Sequence, residues 1–308
     1  LRKLLKPNTD FKILRALSII VKSKKRVDYN LKNVIMQIFI SKRVYFMKNV
    51  SIILFFLLGL SACSTSPTGR SQLSLLPDSE LNKMGVQSFE KIKKEIPATK
   101  NKKIKAYVLC VARSIIPQVK QQPDPKKWEV QVFASDEANA FALPGNKIGV
   151  YEGLLKYAVN QHQLAAVIGH ELGHVIAHHG NERVSHQLAT QAGVGILAAV
   201  VGGTQKGNWA VTAAALGAQY GVVLPFSRKH ESEADMIGVE LMAKSGFKPS
   251  ESVQLWKNMA KAGSGGPEIL STHPSNETRI EDLTKSLKKA TPIYQKAYKS
   301  GKRPRCSL

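Results

Sequence analysis

His170-Glu171-Leu172-Gly173-His174 reads H-E-x-x-H. On a helix, residues four apart project from one face a turn apart, so these two imidazoles can converge on a single Zn²⁺ ion. Glu171 points to the side of that face, where its carboxylate can take a proton from an attacking water without binding the metal itself. A catalytic zinc needs a third protein ligand and one open place. Ser227 to Asp235 supplies a candidate, because Glu231 and Asp235 are also four apart. Glu231 is read as the third ligand and Asp235 as the acceptor of a ligand histidine's outer N–H, which fixes the ring's tautomer. Glu233 is the rival carboxylate and faces the opposite side of that helix. The chemistry implied is hydrolysis by a single zinc ion, with Glu171 as the base.

These residues need two helices. Leu164 to His179 has apolar residues at Leu164, Val167, Ile168, Leu172, Val175 and Ile176, the pattern of a buried helix carrying the motif. About Arg228 to Lys244 reads as a charged amphipathic helix carrying Glu231 and Asp235. His178 and His179 invite the pattern H-E-x-x-H-x-x-G-x-x-H, but Ala177 replaces its glycine and Gly180 its third histidine. His178 is therefore read as a structural or supporting residue outside the ligand set. A purely structural zinc module is disfavoured, since three strong ligands are visible where a closed site takes four.

Around this pair, Pro77 to Glu80 offers helix-capping chemistry, and helical spacing recurs over Leu81 to Ile92 and again over Ile104 to Val119. Pro123-Asp124-Pro125 breaks the chain, Trp128 to Phe133 alternates as a strand, and Ala140 to Tyr151 reads as further strand around a Pro144-Gly145-Asn146 turn. Leu188 to Gly203 and Trp209 to Leu224 are rich in Ala and Gly. The first is too short and too dotted with glycine for a comfortable membrane span, and close helix packing or an interfacial loop fits it better. Pro249 opens another helix, Gly263 to Gly266 forms a hinge-like loop, and Asn276 to Leu287 is the last strong helix. No internal repeat is visible.

The chain has 308 residues, 43% of them hydrophobic, enough for a sizeable core. Its formal charge of +23 is unevenly spread: residues 1–62 hold 13 Lys/Arg against Asp10 and Asp28, leaving 32 basic and 20 acidic side chains beyond. That moderate excess suits an anionic membrane surface, and no aromatic-studded basic motif supports a nucleic-acid partner. Met47-Lys48-Asn49, an apolar run from Val50 to Leu60, and Leu60-Ser61-Ala62-Cys63 outline a signal peptide over 47–62. Leu-Ser-Ala-Cys resembles a lipoprotein lipobox, with Cys63 as the acylated residue; Ser64 favours the outer membrane, and the expected address is its periplasmic face. Residues 1–46 fit nothing that precedes such a signal and are expected to reflect a start site placed too far upstream. Residues 63–76, rich in Ser, Thr, Pro and Gly, read as a flexible tether, 77–290 as the catalytic domain and 291–308 as a tail. Cys110 and Cys306 are either a disulfide or two thiols.

With both motifs in place, about Leu75 to Leu287 resembles the zinc metallopeptidase family of HtpX, the CAAX prenyl protease and the mitochondrial Oma-type proteases, nearest its periplasmic lipoprotein branch. The likeness rests on Asn139 to Gly145, the H-E-L-G-H helix, Ser227-Arg228 with Glu231 and Ala234-Asp235, and Ser271 to Pro274 followed by Arg279. It implies an α+β, zincin-like metalloprotease fold, mostly helical, whose small sheet offers an edge strand around Phe141 to Val150 to the substrate backbone. It implies one Zn²⁺ per chain and endopeptidase action on unfolded or misassembled envelope proteins, in protein quality control. His273 either closes the open place on the metal or belongs to a structural His-Pro turn; Arg279 is either an oxyanion donor or a salt-bridge partner. The contrasting reading is a lipid-anchored assembly chaperone of the outer membrane in which proteolysis is secondary or lost.

Overall fold

The computed structural model describes residues 63–122, 124–201, 224–261, 269, 273 and 277–308, with Arg15 and Ser18. The expected upstream extension and signal peptide, the Trp209 to Leu224 stretch, the Gly263 to Gly266 loop, and Pro123, Ser271, Thr272 and Pro274 lie outside them, apart from Leu224 and those two isolated residues.

In chain order the elements are β1 (Cys63–Thr65), β2 (Ser71–Leu73), α1 (Asp78–Glu95), α2 (Lys102–Ile115), β3 (Glu129–Phe133), β4 (Ala140–Leu143), β5 (Lys147–Tyr151), α3 (Gln161–Ile176), α4 (His179–Val201), α5 (Leu224–Lys244), α6 (Ser250–Ala260) and α7 (Glu277–Lys299). The chain is α+β and mostly helical, as expected. Alternation and turn chemistry placed the strands well: β4 and β5 meet at Pro144–Asn146, where Gly145 and Asn146 take left-handed φ angles of 83° and 62°. Pro77 caps α1 without a side-chain hydrogen bond, leaving Asp78 and Glu80 in the first turn as acidic partners of the helix dipole.

The sheet order is β3-β5-β4, with β3 parallel and β4 antiparallel to β5. This corrects the expected edge. Residues 147–150 belong to the central strand, and only Ala140–Leu143 borders an open side. Parallel pairing with β3 takes the side of β5 that β4 leaves free, a long-range outcome that local alternation does not encode.

Two cores form. The larger joins α2, β3, β5 and α3 to α5, α6 and α7 through buried residues including Val111, Ile115, Ile148, Leu164, Ile168, Leu172, Met242, Phe247 and Leu255. A smaller aromatic one, Phe89, Phe133 and Tyr151 with Phe141 against it, seats α1 on the sheet. α3 is buried on nearly all sides, as its almost continuous apolar sequence requires. Its first turn is capped by Asn160, whose side chain accepts the backbone N–H of His162 and Gln163.

Three segments depart from the sequence reading. Where a flexible tether was expected, β1 and β2 form an antiparallel hairpin, and Leu75 and Leu76 donate backbone hydrogen bonds to Ser185 and Asn181 of α4. The last helix runs to Lys299, through Pro292, well beyond Leu287. The segment after it is held down: Cys306 is disulfide-bonded to Cys110 of α2, and its backbone N–H donates to Gln161 at the start of α3. Leu188 onward is helical as part of α4, and no described helix is long and apolar enough to cross a membrane.

Candidate metal centre

The centre sits where α3 crosses α5, and small residues make the crossing close. A Cβ on Gly169 would lie 2.8 Å from the carbonyl oxygen of Gly238, one on Gly173 2.7 Å from that of Ala234, and one on Gly238 2.7 Å from the His170 backbone nitrogen. Contacts that short against backbone leave no room for any side chain larger than hydrogen. Gly169 and Gly173 on one helix, and Ala234 and Gly238 on the other, are each four apart and form matching smooth stripes. The stripes bring the faces bearing His170 and His174 onto those bearing Glu231 and Asp235. The motif's glycine thus has a packing role that sequence reading missed; its signal was the four-residue repeat of small residues beside the ligands.

His170, His174, Glu231 and His273 are all buried, and one ligand atom from each lies within 4.8 Å of every other. His170 Nε2 is 3.1 Å from His174 Nε2, 3.3 Å from Glu231 Oε2 and 3.2 Å from His273 Nδ1. His174 Nε2 is 3.5 Å from Glu231 Oε1, and His273 Nδ1 is 2.9 Å from Glu231 Oε2. A tetrahedral ion with bonds of ~2.0–2.1 Å places its ligand atoms ~3.3 Å apart, close to these five spacings. Ring nitrogens facing ring nitrogens at these distances, with a carboxylate among them, call for a positive charge in their midst. Burial and Arg279 both disfavour a proton on His170, yet the Asp235 and Glu231 carboxylates outweigh them and push it up to about 9. Burial lowers His174 well below the usual imidazole range, as does the positive charge of His170. Burial also opposes the charge on Glu231, but hydrogen bonds with His170 and His273 hold it far below the usual carboxylate range. The donor set fits one divalent cation.

Each residue expected in the site is near it. Asp235 Oδ1 lies 2.9 Å from His170 Nδ1, on the side of the ring away from the cluster. Arg279 contacts Asp235 with Nε and, at 2.9 Å, with Nη2; its Nη1 is 3.3 Å from Glu231, and its plane lies 3.6 Å over the Trp256 ring. Of the two roles open to Arg279, the geometry is that of the salt bridge. It neutralises two buried carboxylates whose isolation would cost about 3–5 kcal/mol. His273 occupies the fourth corner of the tetrahedron. Glu171 is 4% exposed, and its Oε1 is buried with no hydrogen-bond partner among the described residues; His273 Nε2 is 3.5 Å away. A carboxylate oxygen beside an ion site with no hydrogen bond among the described residues is the arrangement a general base requires.

His178 stands apart from the cluster, half-exposed and 3.5 Å from Asp78. Its φ of 54° is left-handed and ends α3, so the next residue re-enters the interior. That residue, His179, is fully buried with Nδ1 2.9 Å from His174 Nδ1 and Nε2 3.1 Å from Glu233. Glu233 is therefore not a ligand. It faces Arg70, which also pairs with Glu182 at 2.7 Å. Burial opposes ionisation of Glu182, but His230 and Arg70 hold it down to about 2. Burial opposes it at Glu233 also, and hydrogen bonds from His179, Ser66, Thr68 and Arg70 keep that group well below the usual carboxylate range.

The profile of Peptidase family M48 matches residues 98–287, a span containing all of these ligands. The mitochondrial metalloendopeptidase OMA1 of Schizosaccharomyces pombe is 37% identical over 168 residues, 53% of this chain and 48% of that protein. The β-barrel assembly-enhancing protease of Escherichia coli K12 is 26% identical over 241 residues, 76% of this chain and 49% of that protein. The chain thus spans about half the length of these relatives.

Proposed function

Because the chain belongs to peptidase family M48, we propose that it is a zinc-dependent endopeptidase of the bacterial cell envelope that cleaves misfolded or misassembled proteins. The observation that carries the reading is the buried group of His170, His174, Glu231 and His273 with the Glu171 carboxylate beside it, its Oε1 free of hydrogen bonds among the described residues. A closed structural site has no use for such a carboxylate.

The substrate backbone adds antiparallel to the open side of β4, whose residues Ala140–Leu143 border α3, the helix that carries two of the ligands. His273 leaves the fourth corner when substrate enters; it lies between α6 and α7, outside both helices. Zinc, when bound at His170, His174 and Glu231, supplies Lewis-acid polarisation of the scissile carbonyl and lowers the pKa of water. Glu171 takes the proton from the attacking water and delivers it to the departing amine. Asp235 accepts the His170 Nδ1 proton, so Nε2 presents a lone pair to the ion, and Arg279 keeps Asp235 charged.

Three observations support the envelope address and substrate class. Leu60-Ser61-Ala62-Cys63 matches a lipobox, so Cys63 is proposed as the lipid anchor on the periplasmic face of the outer membrane. The Cys110–Cys306 disulfide suits an exported chain. The name of the Escherichia coli relative points to β-barrel assembly.

Metal removal tests the reading. Protein stripped with a chelator is expected to lose cleavage of casein, and one equivalent of Zn²⁺ is expected to restore it. Cleavage that persists in fully stripped protein would exclude a metallopeptidase.

A further inference from the structure

We propose that the amino-terminal hairpin is part of the metal centre: Arg70 is a positioning residue that fixes the tautomer of the ligand His174 through Glu233 and His179. The inference rests on the zinc reading above and extends it to a segment outside the matched family region.

The hairpin places Arg70 just before β2, where its carbonyl accepts the Ser66 N–H across the turn. The guanidinium lies between two helices. It contacts both carboxylate oxygens of Glu182 on α4 at 2.7 Å, and Oε2 of Glu233 on α5 with Nε at 3.0 Å and Nη2 at 2.9 Å. Thr68 donates its hydroxyl to the other oxygen of Glu233. Glu182, Glu233 and His179 are at most 2% exposed, so two carboxylates are taken out of water together and Arg70 answers both.

From Glu233 the proton order follows link by link. An ionised carboxylate only accepts, so His179 Nε2, 3.1 Å from Glu233 Oε2, carries a proton. In the neutral ring Nδ1 is then the acceptor, and the 2.9 Å contact to His174 Nδ1 requires the proton to sit on His174. His174 Nε2 is left as a lone pair, the atom that faces Glu231 and His170. Take Arg70 away and Glu233 loses the guanidinium that holds its Oε2 against His179 Nε2, so this order is no longer dictated. The two histidine ligands of α3 thus each have a carboxylate–arginine support: Asp235 and Arg279 act directly behind His170, and Glu233 and Arg70 act through one intervening ring behind His174.

The test compares Arg70→Gln with Asn181→Ala. Asn181 ties Leu76 and Ser74 to α4 but touches neither Glu233 nor His179, so its loss loosens the same segment without breaking the chain to His174. Zinc affinity is measured by chelator competition, and the ligand environment by the visible absorption of the Co²⁺-substituted protein. Wild type is expected to bind one equivalent. Arg70→Gln is expected to bind about 10–100-fold more weakly, the loss typical for outer partners of a ligand histidine, with an altered Co²⁺ spectrum. Asn181→Ala is expected to melt earlier while keeping wild-type affinity and spectrum. Thr68→Val removes one hydrogen bond to Glu233, leaves its ion pairs, and should shift affinity in the same direction by a smaller factor. Wild-type affinity and spectrum in Arg70→Gln, or in Thr68→Val should Arg70→Gln not fold, overturns the proposal. Failure of the wild type itself to bind an ion overturns the zinc reading instead.

Discussion

Replacing Glu171 by Gln lowers kcat for casein cleavage by about 10²–10⁴-fold, the usual contribution of a general base, while the protein still binds one equivalent of zinc. The substitution preserves size and removes only the capacity to take a proton. The carboxylate is buried, its Oε1 makes no hydrogen bond among the described residues, and the ligands come from His170 and His174 on either side of it. Among the described residues its charge faces only His273 Nε2, 3.5 Å away, so melting temperature and Co²⁺ spectrum should stay close to wild type. Steady-state kinetics beside a zinc titration checks both halves. Equal cleavage by the two proteins would remove Glu171 from the mechanism, and loss of zinc would make it a ligand.

Gly238→Ala is expected to act on the same centre with no change in its chemistry. The added methyl would sit 2.7 Å from the His170 backbone nitrogen and 2.8 Å from the Gly169 carbonyl carbon. Backbone cannot rotate away, so α3 and α5 must separate. Overpacking of this kind costs about 1–3 kcal/mol. The larger consequence is at the ion, because the displacement separates His170 and His174 from Glu231 and Asp235 together. Zinc affinity should fall by about 10–100-fold, as when a supporting shell is lost. Gly180→Ala is the control: it adds the same methyl on α4 with nothing within 4 Å, and alanine is the better helix former by about 1 kcal/mol. Calorimetry with chelator competition separates the cases. Unchanged affinity in Gly238→Ala would mean that the helix spacing does not set the ligand geometry.

These two variants also mark what the sequence makes legible. His170, Glu171 and His174 declare themselves because one helical turn determines their relation, and Glu231 with Asp235 because a second turn does the same. Periodicity found the helices, and alternation found the strands. Beyond a few residues the signal fades for definite reasons. The order β3-β5-β4 depends on a parallel pairing between strands separated in sequence, so the edge was assigned too broadly. Residues 63–76 carry no apolar pattern; their structure comes from Arg70 reaching Glu182 and Glu233, 112 and 163 positions away. His179 was named but given no role because a continuous helix would turn it away from His174, and only the left-handed backbone at His178 brings it back. His273 was left with two roles because a residue between helices has no period to place it, and Arg279 because the period of its own helix does not say which distant group it meets. The structure puts Arg279 on Asp235 and His273 within the ligand tetrahedron.

The central claim is that α3 and α5 hold one ion between two imidazoles and a carboxylate from the other helix. The most direct test is the zinc dissociation constant of Glu231→Ala beside wild type, measured by chelator competition on protein first stripped of metal. Wild type is expected to show one tight site and the variant a severe loss of affinity, since His170, His174 and His273 are neutral donors and lack the carboxylate charge that balances the ion. Wild-type affinity in Glu231→Ala would contradict it.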